Sequence, residues 1–569
     1  MALVTRTWEY TLSETHPVRG YSLPTFCFAV PAKTESMRIM FYSCNGWCDG
    51  AEKGEWNHLS LWKDVLRQHK TRAFHVMIGG GDQIYNDGIY EKGPLLEWTQ
   101  IKNPQERLQY KPPDQLKDAC DIWYLSNYIQ WYGYNREPFA SALSQIPSLT
   151  IWDDHDIIDG FGSYAKETME CSVFQMIGSL AHKYYMIFQH HLPPDTPDQA
   201  KSNVVTPSYA SEPEYILGSN PGPYIKARSR SIFTRLGARM AFLGIDARTE
   251  RTREQTNYYG TYDAISNRVD NELQLDKRSG RTINHLILLL GIPIAYAPLT
   301  WIESAFVGKM GETARYVSEN MNIGKTSFNL FDGEVELLDD LNDHYTAKAH
   351  QKERLYLIQR IQAISEAHSV RVTILSGDVH LAAVGRFFTN RKVEKLQVEE
   401  DFRFMNNIIS SAIVNQPPPP AMAKLIAKSD KLRDLDENTE EVLFKLFRLH
   451  GSGQKLDSPG SNVAMTRRNF TVITENSPLS PGRYEGIDKI SYSQFFSVRG
   501  HRPLHFGEAN AGTKHIAASL QHGKGNDGSL DICICVEEDH RSHDGRTVSY
   551  GFTIPVLRCK NREAAGTLC

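Results

Sequence analysis

Three observations in the sequence predict an α/β protein. Apolar, strand-like runs alternate with helically periodic segments through the first half, and four such runs stop at clusters of polar, chemistry-bearing residues. Beyond about residue 400 the texture turns to strands.

The first strand is expected over Met37–Tyr42, ending at Ser43-Cys44-Asn45-Gly46. His58–His69 then sets Leu59, Trp62, Val65, Leu66 and His69 on one helical face, and Ala73–Ile78 is a second apolar run, stopped by Gly79-Gly80-Gly81-Asp82. Together they read as a βαβ unit, which places both strand ends on one edge. A helix over Asp121–Tyr134 precedes a strand over Ile146–Trp152, which ends at Asp153-Asp154-His155-Asp156. Glu336–His368 reads as one long helix or two abutting ones, carrying Leu337, Leu338, Leu341 and Tyr345, then Ile358, Ile361 and Ile364. It feeds the run Val370–Leu375, which delivers Ser376-Gly377-Asp378-Val379-His380. In open α/β sheets the C-terminal edge of the strands binds ligands, so a parallel sheet would gather these four ends into one site.

In the tail, strands are expected over Asn407–Val414, Phe470–Thr474, Ile490–Val498, Leu530–Glu537 and Thr547–Leu557, the last two flanking a turn at Asp544-Gly545. Cys533 and Cys535 share one strand face and read as packing residues. Neither the four prolines Pro417–Pro420 nor the loop Gly451–Asn462 is long enough to mark a domain linker. The expected organisation is an N-terminal β segment over 1–36 and a single unit over 37–569, with 400–569 supplying much of a second sheet.

Composition excludes several classes. The 569 residues are 41% hydrophobic and 23% charged, which fits a folded chain rather than a disordered or collagenous one. Lys+Arg number 63 against 67 Asp+Glu, and no basic stripe is present, so long nucleic acid is not an expected partner. Nine scattered cysteines do not form a disulfide framework and suit a reducing compartment. Met1–Pro17 has neither an apolar core nor a twin arginine, so the expected location is cytoplasmic. The uncharged run Leu286–Ile302 contains Gly291, Pro293 and Pro298 and is read as a buried strand leading into a loop, not a membrane span.

The chemistry concentrates at the strand ends. Asp82, with Tyr85 and Asp87 behind it, follows three glycines that let the backbone turn sharply, and a carboxylate there can bridge two cations. Asp153, Asp154 and Asp156 around His155 repel one another unless a cation or strong donors neutralise them. Asp378 and His380 offer two further ligands, and Cys44 a thiolate. A cysteine and a tyrosine suit a ferric ion, whereas carboxylates suit Ca²⁺, Mg²⁺ or Mn²⁺. Cys48 lies near Cys44, but no matching second pair supports structural zinc. His344 and His350 are read as cap, core or surface residues of the long helix, and the polar stretches Thr196–Arg230 and Thr252–Arg281 as a lid or rim.

In order and spelling, F-Y-S-C, G-D-x-x-Y, W-D-D-H-D and S-G-D-V-H resemble the signature blocks of PhoD-like phosphatases, a branch of the metallophosphoesterase superfamily. Gly80–Gly88, Ile151–Tyr164, Asp339–Arg354 and Ser410–Pro420 are similar to a subgroup common in fungi and some bacteria. The resemblance covers about residues 37 to 420, and the tail more loosely. It implies a four-layer αββα sandwich of two mixed sheets flanked by helices, with a dinuclear or multinuclear metal centre between sheet edges.

Carried over residue by residue, Asp82 would bridge the metals, Cys44, Tyr85 and His380 would hold Fe³⁺, and Asp154 and Asp378 would hold a divalent ion, calcium by family precedent. Mn²⁺, Mg²⁺ or Zn²⁺ are alternatives, and the match leaves open whether Asp153 or Asp154 reaches metal. His155 would be the catalytic histidine, assisting the leaving group, while Arg248 and Arg251, in a segment like the family's Asp-x-Arg, would grip phosphate oxygens. The implied activity is hydrolysis of small phosphoesters of the alkaline phosphatase D type, with a metal-bound hydroxide attacking phosphorus. Its rivals are a nuclease-like phosphodiesterase and a non-catalytic scaffold that binds a phosphometabolite.

Overall fold

The computed structural model describes residues 5–11, 25–47, 58–133, 136–192, 214–297, 331, 343–447, 462–480 and 511–559. The predicted βαβ unit is present. Helix Ser60–Thr71 joins the parallel strands Arg38–Tyr42 and Val76–Gly80, and Ser148–Ile151 adds a third parallel strand. On the other side of Arg38–Tyr42 the sheet continues antiparallel through Asn469–Glu475, Leu530–Glu537 and Thr547–Ile554, making six strands.

A second sheet has ten strands among the described residues. Its parallel centre is Met240–Gly244, His285–Leu289, Arg371–Ser376 and Met405–Ser410. Antiparallel strands extend it through Arg228–Leu236 and Tyr215–Pro221 on one side. On the other side come Ala382–Thr389, Thr439–Leu443 and Arg433–Asp434, with Ala464–Met465 pairing Ala382–Thr389. The tail therefore does not supply one sheet. Its strands up to Met465 join the ten-stranded sheet, and those from Asn469 onward join the six-stranded one. An exposed antiparallel hairpin, Arg6–Tyr10 with Phe26–Val30, precedes both.

Alternation along the strands sorts the core into layers, because successive side chains of a strand point to opposite faces. Ile39 and Phe41 meet Ile287, Leu289 and Leu375 in the cluster shared by the two sheets. Met40, Tyr42, Cys533 and Cys535 face the other way, onto a cluster with the helices Ser60–Thr71, Asp114–Tyr132 and Ser172–Phe188. Leu286, Leu288, Val372 and Ile374 pack on helices Tyr259–Arg278 and Gln351–His368. Each fully buried Ile, Leu or Phe stabilises this arrangement by about 1.5–3 kcal/mol relative to exposure.

Of the stretch read as one long helix or two abutting ones, Gln351–His368 is a helix and Asp343 is helical, with turns between them that include the 3₁₀ turn Lys348–His350. Two expectations change. Thr252–Arg281 is no rim loop, since most of it is the helix Tyr259–Arg278 packed on the ten-stranded sheet. Within Thr196–Arg230, residues 214–230 hold the strand Tyr215–Pro221 and the start of Arg228–Leu236. The run at Leu286 is the buried end of a strand, and no helix among the described residues is long and apolar enough to cross a membrane. Cys48, the expected strand Ile490–Val498, residues 196–213, 336–342 and most of the loop Gly451–Asn462 lie outside the described residues.

Candidate metal centre

The chemistry-bearing strand ends do converge, but from two sheets rather than one. Cys44, Asp82 and the Asp153–Asp156 cluster follow the three parallel strands of the six-stranded sheet, and Asp378 and His380 follow Arg371–Ser376 of the ten-stranded sheet. Backbone hydrogen bonds lace the loops together. Cys44 N donates to Gly81 O (3.3 Å), Asn45 N to Asp82 O (2.8 Å), Asn86 N to His155 O (3.1 Å) and Ile413 N to Ser43 O (3.1 Å).

The glycines before Asp82 are used as expected at Gly81, which has φ +94° and lies where a Cβ would come 2.7 Å from Asp153 Cβ. A Cβ on Gly46 would sit 2.2 Å from the Tyr85 ring, so only glycine lets that ring lie flat there. Cys44, Asp82, Asp378 and His380 themselves adopt left-handed backbone, with φ between 51° and 71°. Such conformations cost non-glycine residues about 1–3 kcal/mol each and cluster at ligand sites.

Two close groups of potential ligands result, Cys44 with Asp82 and His380, and Asp82 with Asp154 and His155; within each, the donor atoms lie within 4.8 Å of one another. The Cys44 thiol is 3.4 Å from Asp82 Oδ2 and 2.9 Å from Ser411 Oγ. Tyr85 Oη donates to Asp82 Oδ2 (3.3 Å) and lies 3.1 Å from His380 Nε2. Asp82 is common to both groups, the position expected of a bridging carboxylate.

Several oxygens here have no hydrogen bond from the described residues. Asp82 Oδ1, Asp153 Oδ2, Asp154 Oδ1 and Asp378 Oδ2 are buried without a hydrogen-bond partner among the described residues. Burial first, then the neighbouring carboxylates, pushes Asp82 and Asp378 well above the ordinary carboxylate range, although His155 and Arg248 respectively pull them down. Burial and Asp82 push the Cys44 thiol up. Burial, with His155, lowers His380 to about 3, which keeps its imidazole neutral and able to ligate. Repelling carboxylates with orphaned oxygens, a thiol and a neutral imidazole are a donor set that fits bound cations.

Asp378 lies beside these groups, with Asp153 and Asp154 as its charged neighbours. Its side chain belongs to neither close group, and its Oδ2 lies 3.3 Å from His344 Nε2. His344 was read as a helix residue, but it stands in the turn before the helix and reaches the site. His350 is a buried structural residue, 3.4 Å from Glu353.

His155 is held by a residue the sequence reading left without a role. Its Nδ1 is 2.8 Å from Asp87 Oδ2, while Asp87 Oδ1 accepts from Asp159 N at 2.7 Å. The imidazole also stacks on Tyr85, with ring centroids 4.2 Å apart. Burial alone would lower this histidine, yet Asp87, Asp154 and Asp159 outweigh it and hold the group well above its ordinary value.

The two arginines are engaged by buried groups of the chain itself. Arg248 is 1% exposed, and all five of its N–H donors are taken by Asp153, Asp343 and Phe161 O. Arg251 is equally buried and donates to Thr256 Oγ1 and Asp343 O. Against the upward push of burial, the two guanidiniums hold Asp343 far below the ordinary carboxylate range. An Asp-x-Arg spelling says nothing about which distant carboxylate fills the fork. Arg248→Met should therefore destabilise the fold by about 3–5 kcal/mol in urea unfolding, since it strands the buried Asp153 and leaves Asp343 to Arg251. A stable variant with only a raised KM would restore the arginine to the substrate.

Asp87, Asp343, His344, Ser411 and Asn415 were not singled out as site residues. Asn415 Nδ2 lies 3.4 Å from His380 Nε2, and Ser411 Oγ accepts from His380 N at 3.0 Å. Their only sequence signal is position within Gly80–Gly88, Asp339–Arg354 and Ser410–Pro420, the stretches that carry the resemblance.

A family model described as PhoD related phosphatase matches residues 4–328 and 322–485. An uncharacterized protein of Saccharomyces cerevisiae, YGR266W, is 38% identical over 577 aligned positions, covering 95% of this chain and 79% of its own length. Among solved structures, one of PhoD overlaps at a TM-score of 0.46 with 11% identity, over 95% of this chain and 76% of that one. A dimetal phosphatase from Danio rerio overlaps at 0.29 with 10% identity, over 67% and 89%.

Proposed function

Because the chain belongs to the PhoD related phosphatase family, we propose that it is a metal-dependent hydrolase of small phosphoesters, acting on monoesters or diesters of the alkaline phosphatase D type. The four-layer αββα sandwich is part of this reading, supported by the two sheets sharing one apolar cluster with helices on their outer faces. The observation that carries the activity is the pair of ligand groups sharing Asp82, with buried carboxylate oxygens that no hydrogen bond satisfies among the described residues.

Cys44, Tyr85, His380 and Asp82 would hold the ferric ion, and Asp82, Asp154 and Asp378 the divalent ion, calcium by resemblance. When bound, the cations supply Lewis-acid polarisation of the phosphoryl oxygens and an oxygen nucleophile at neutral pH. The rest falls to the chain. Asp87 accepts from His155 Nδ1 and fixes the ring, so that Nε2 carries the proton that passes to the leaving alkoxide. Tyr85 buttresses the imidazole from its face. Arg248 acts at one remove, by fixing Asp153 with its guanidinium.

The test is elemental analysis of the purified protein beside turnover of aryl phosphate monoesters and diesters, before and after dialysis against chelator. Metal content and turnover should fall together. A phenolate and a thiolate both donate density to ferric iron, so the protein should be coloured, less so in Tyr85→Phe. Colourless, iron-free, fully active protein would remove the iron assignment, and turnover indifferent to metal removal would remove the hydrolase reading.

A further inference from the structure

His344 and Asp378 approach each other in a way that a hydrogen bond does not explain. His344 Nε2 lies 3.3 Å from Asp378 Oδ2, yet that oxygen is buried and has no hydrogen-bond partner among the described residues: the separation is that of an ion pair, the geometry is not that of a hydrogen bond. Two neighbouring ligands of one cation, each about 2.1 Å from it at tetrahedral to octahedral angles, are about 3.0 to 3.4 Å apart. The observed separation falls in that interval.

The imidazole is also held where it is. It follows Asp343, which is clamped by Arg248 and Ser163, and its carbonyl accepts from Ala347 N at 3.0 Å. Its side chain is 13% exposed, beside the Tyr296 ring, and its Nε2 is paired with Asp378, with Asp154 among the charged groups that act on it. A part-buried histidine aimed at an orphaned carboxylate oxygen, with two more carboxylates with orphaned oxygens nearby, those of Asp153 and Asp154, is poorly explained as packing.

We propose that His344 is a metal ligand, binding through Nε2 next to Asp378 Oδ2, so that the divalent site of this chain is a mixed nitrogen and oxygen site suited to a first-row transition ion rather than to calcium. Calcium takes oxygen ligands, whereas imidazole suits zinc, iron, copper or nickel. The inference rests on the metal-centre reading above and changes the identity of its second ion.

The experiment uses the full-length protein, wild-type and His344→Ala and His344→Gln, with retained near-ultraviolet dichroism as the check of folding. After chelator treatment, Zn²⁺ and Ca²⁺ are each titrated in competition with a fluorescent chelator. Wild-type should bind Zn²⁺ far more tightly than Ca²⁺ at the divalent site. Both variants should lose about 10- to 100-fold in Zn²⁺ affinity, the size of effect known for altered metal surroundings, with little change toward Ca²⁺. A residue that merely supports the loop would weaken both ions alike, and that result overturns the proposal, as do unchanged Zn²⁺ affinities in both variants. Should wild-type bind neither ion, the metal-centre reading fails instead. If Ala unfolds the protein, Gln, which keeps the bulk but not the imidazole, decides.

Discussion

Asp82→Asn should yield folded protein that has lost metal and about 10³-fold or more in phosphoesterase rate. Asp82 is the residue shared by the two ligand groups, so it bears on both cations at once. Replacing one oxygen by an amide nitrogen leaves a poor bridge, and cations contribute several kcal/mol of transition-state stabilisation, with each 1.36 kcal/mol worth a factor of ten. The fold should survive, because Asp82 lies beyond the end of Val76–Gly80 and its Oδ1 satisfies no protein group. Elemental analysis, a chemical melt and turnover of an aryl phosphate on the same sample check this. A fully active Asp82→Asn enzyme, or one that unfolds, would displace the carboxylate from the centre of the reading.

His155→Ala should keep its metal and lose about 10²- to 10⁴-fold in rate on an ester with a poorly departing alkoxide. The loss should be at least about tenfold smaller for an aryl leaving group that departs without a proton. Asp87 at 2.8 Å and the stacked Tyr85 ring hold the imidazole in one orientation, which is what a proton donor needs. The alternative is set by the same geometry, since His155 also lies within ligand distance of Asp82 and Asp154. Equal losses on both esters with metal retained would argue against acid catalysis, and loss of metal would make His155 a ligand.

Most of what positions this site was legible locally. Strand ends at Cys44, Asp82, Asp153 and Asp378 follow from apolar runs and the polar residues that stop them, and period-two alternation assigns Ile39 and Met40 to opposite faces. What was not legible depends on partners distant in sequence. Nothing near Arg248 announces that Asp153 and Asp343 will consume its donors. His344 sits in the break between the helical Asp343 and the helix that starts at Gln351, and a periodicity that runs through such a break does not mark it, so a side chain that reaches the site read as a helix residue. The tail's strands have the right pattern for either sheet, because alternation specifies a face and not a neighbour.

The placement of Asn469–Glu475 against Arg38–Tyr42 has a consequence for biosynthesis. Every proposed metal ligand has left the ribosome once His380 has, but the strand that flanks Arg38–Tyr42 arrives only with residue 469. At bacterial to eukaryotic elongation speeds that delay, counted from Arg38–Tyr42 itself, is tens of seconds. Throughout it, a strand whose residues are all buried in the folded protein presents an unpaired edge, the kind that recruits other chains. Non-local pairing of this sort also slows folding after release. The nascent chain is therefore a natural client for chaperones that shield β-edges, and its yield in a heterologous host should depend on them more than on metal supply.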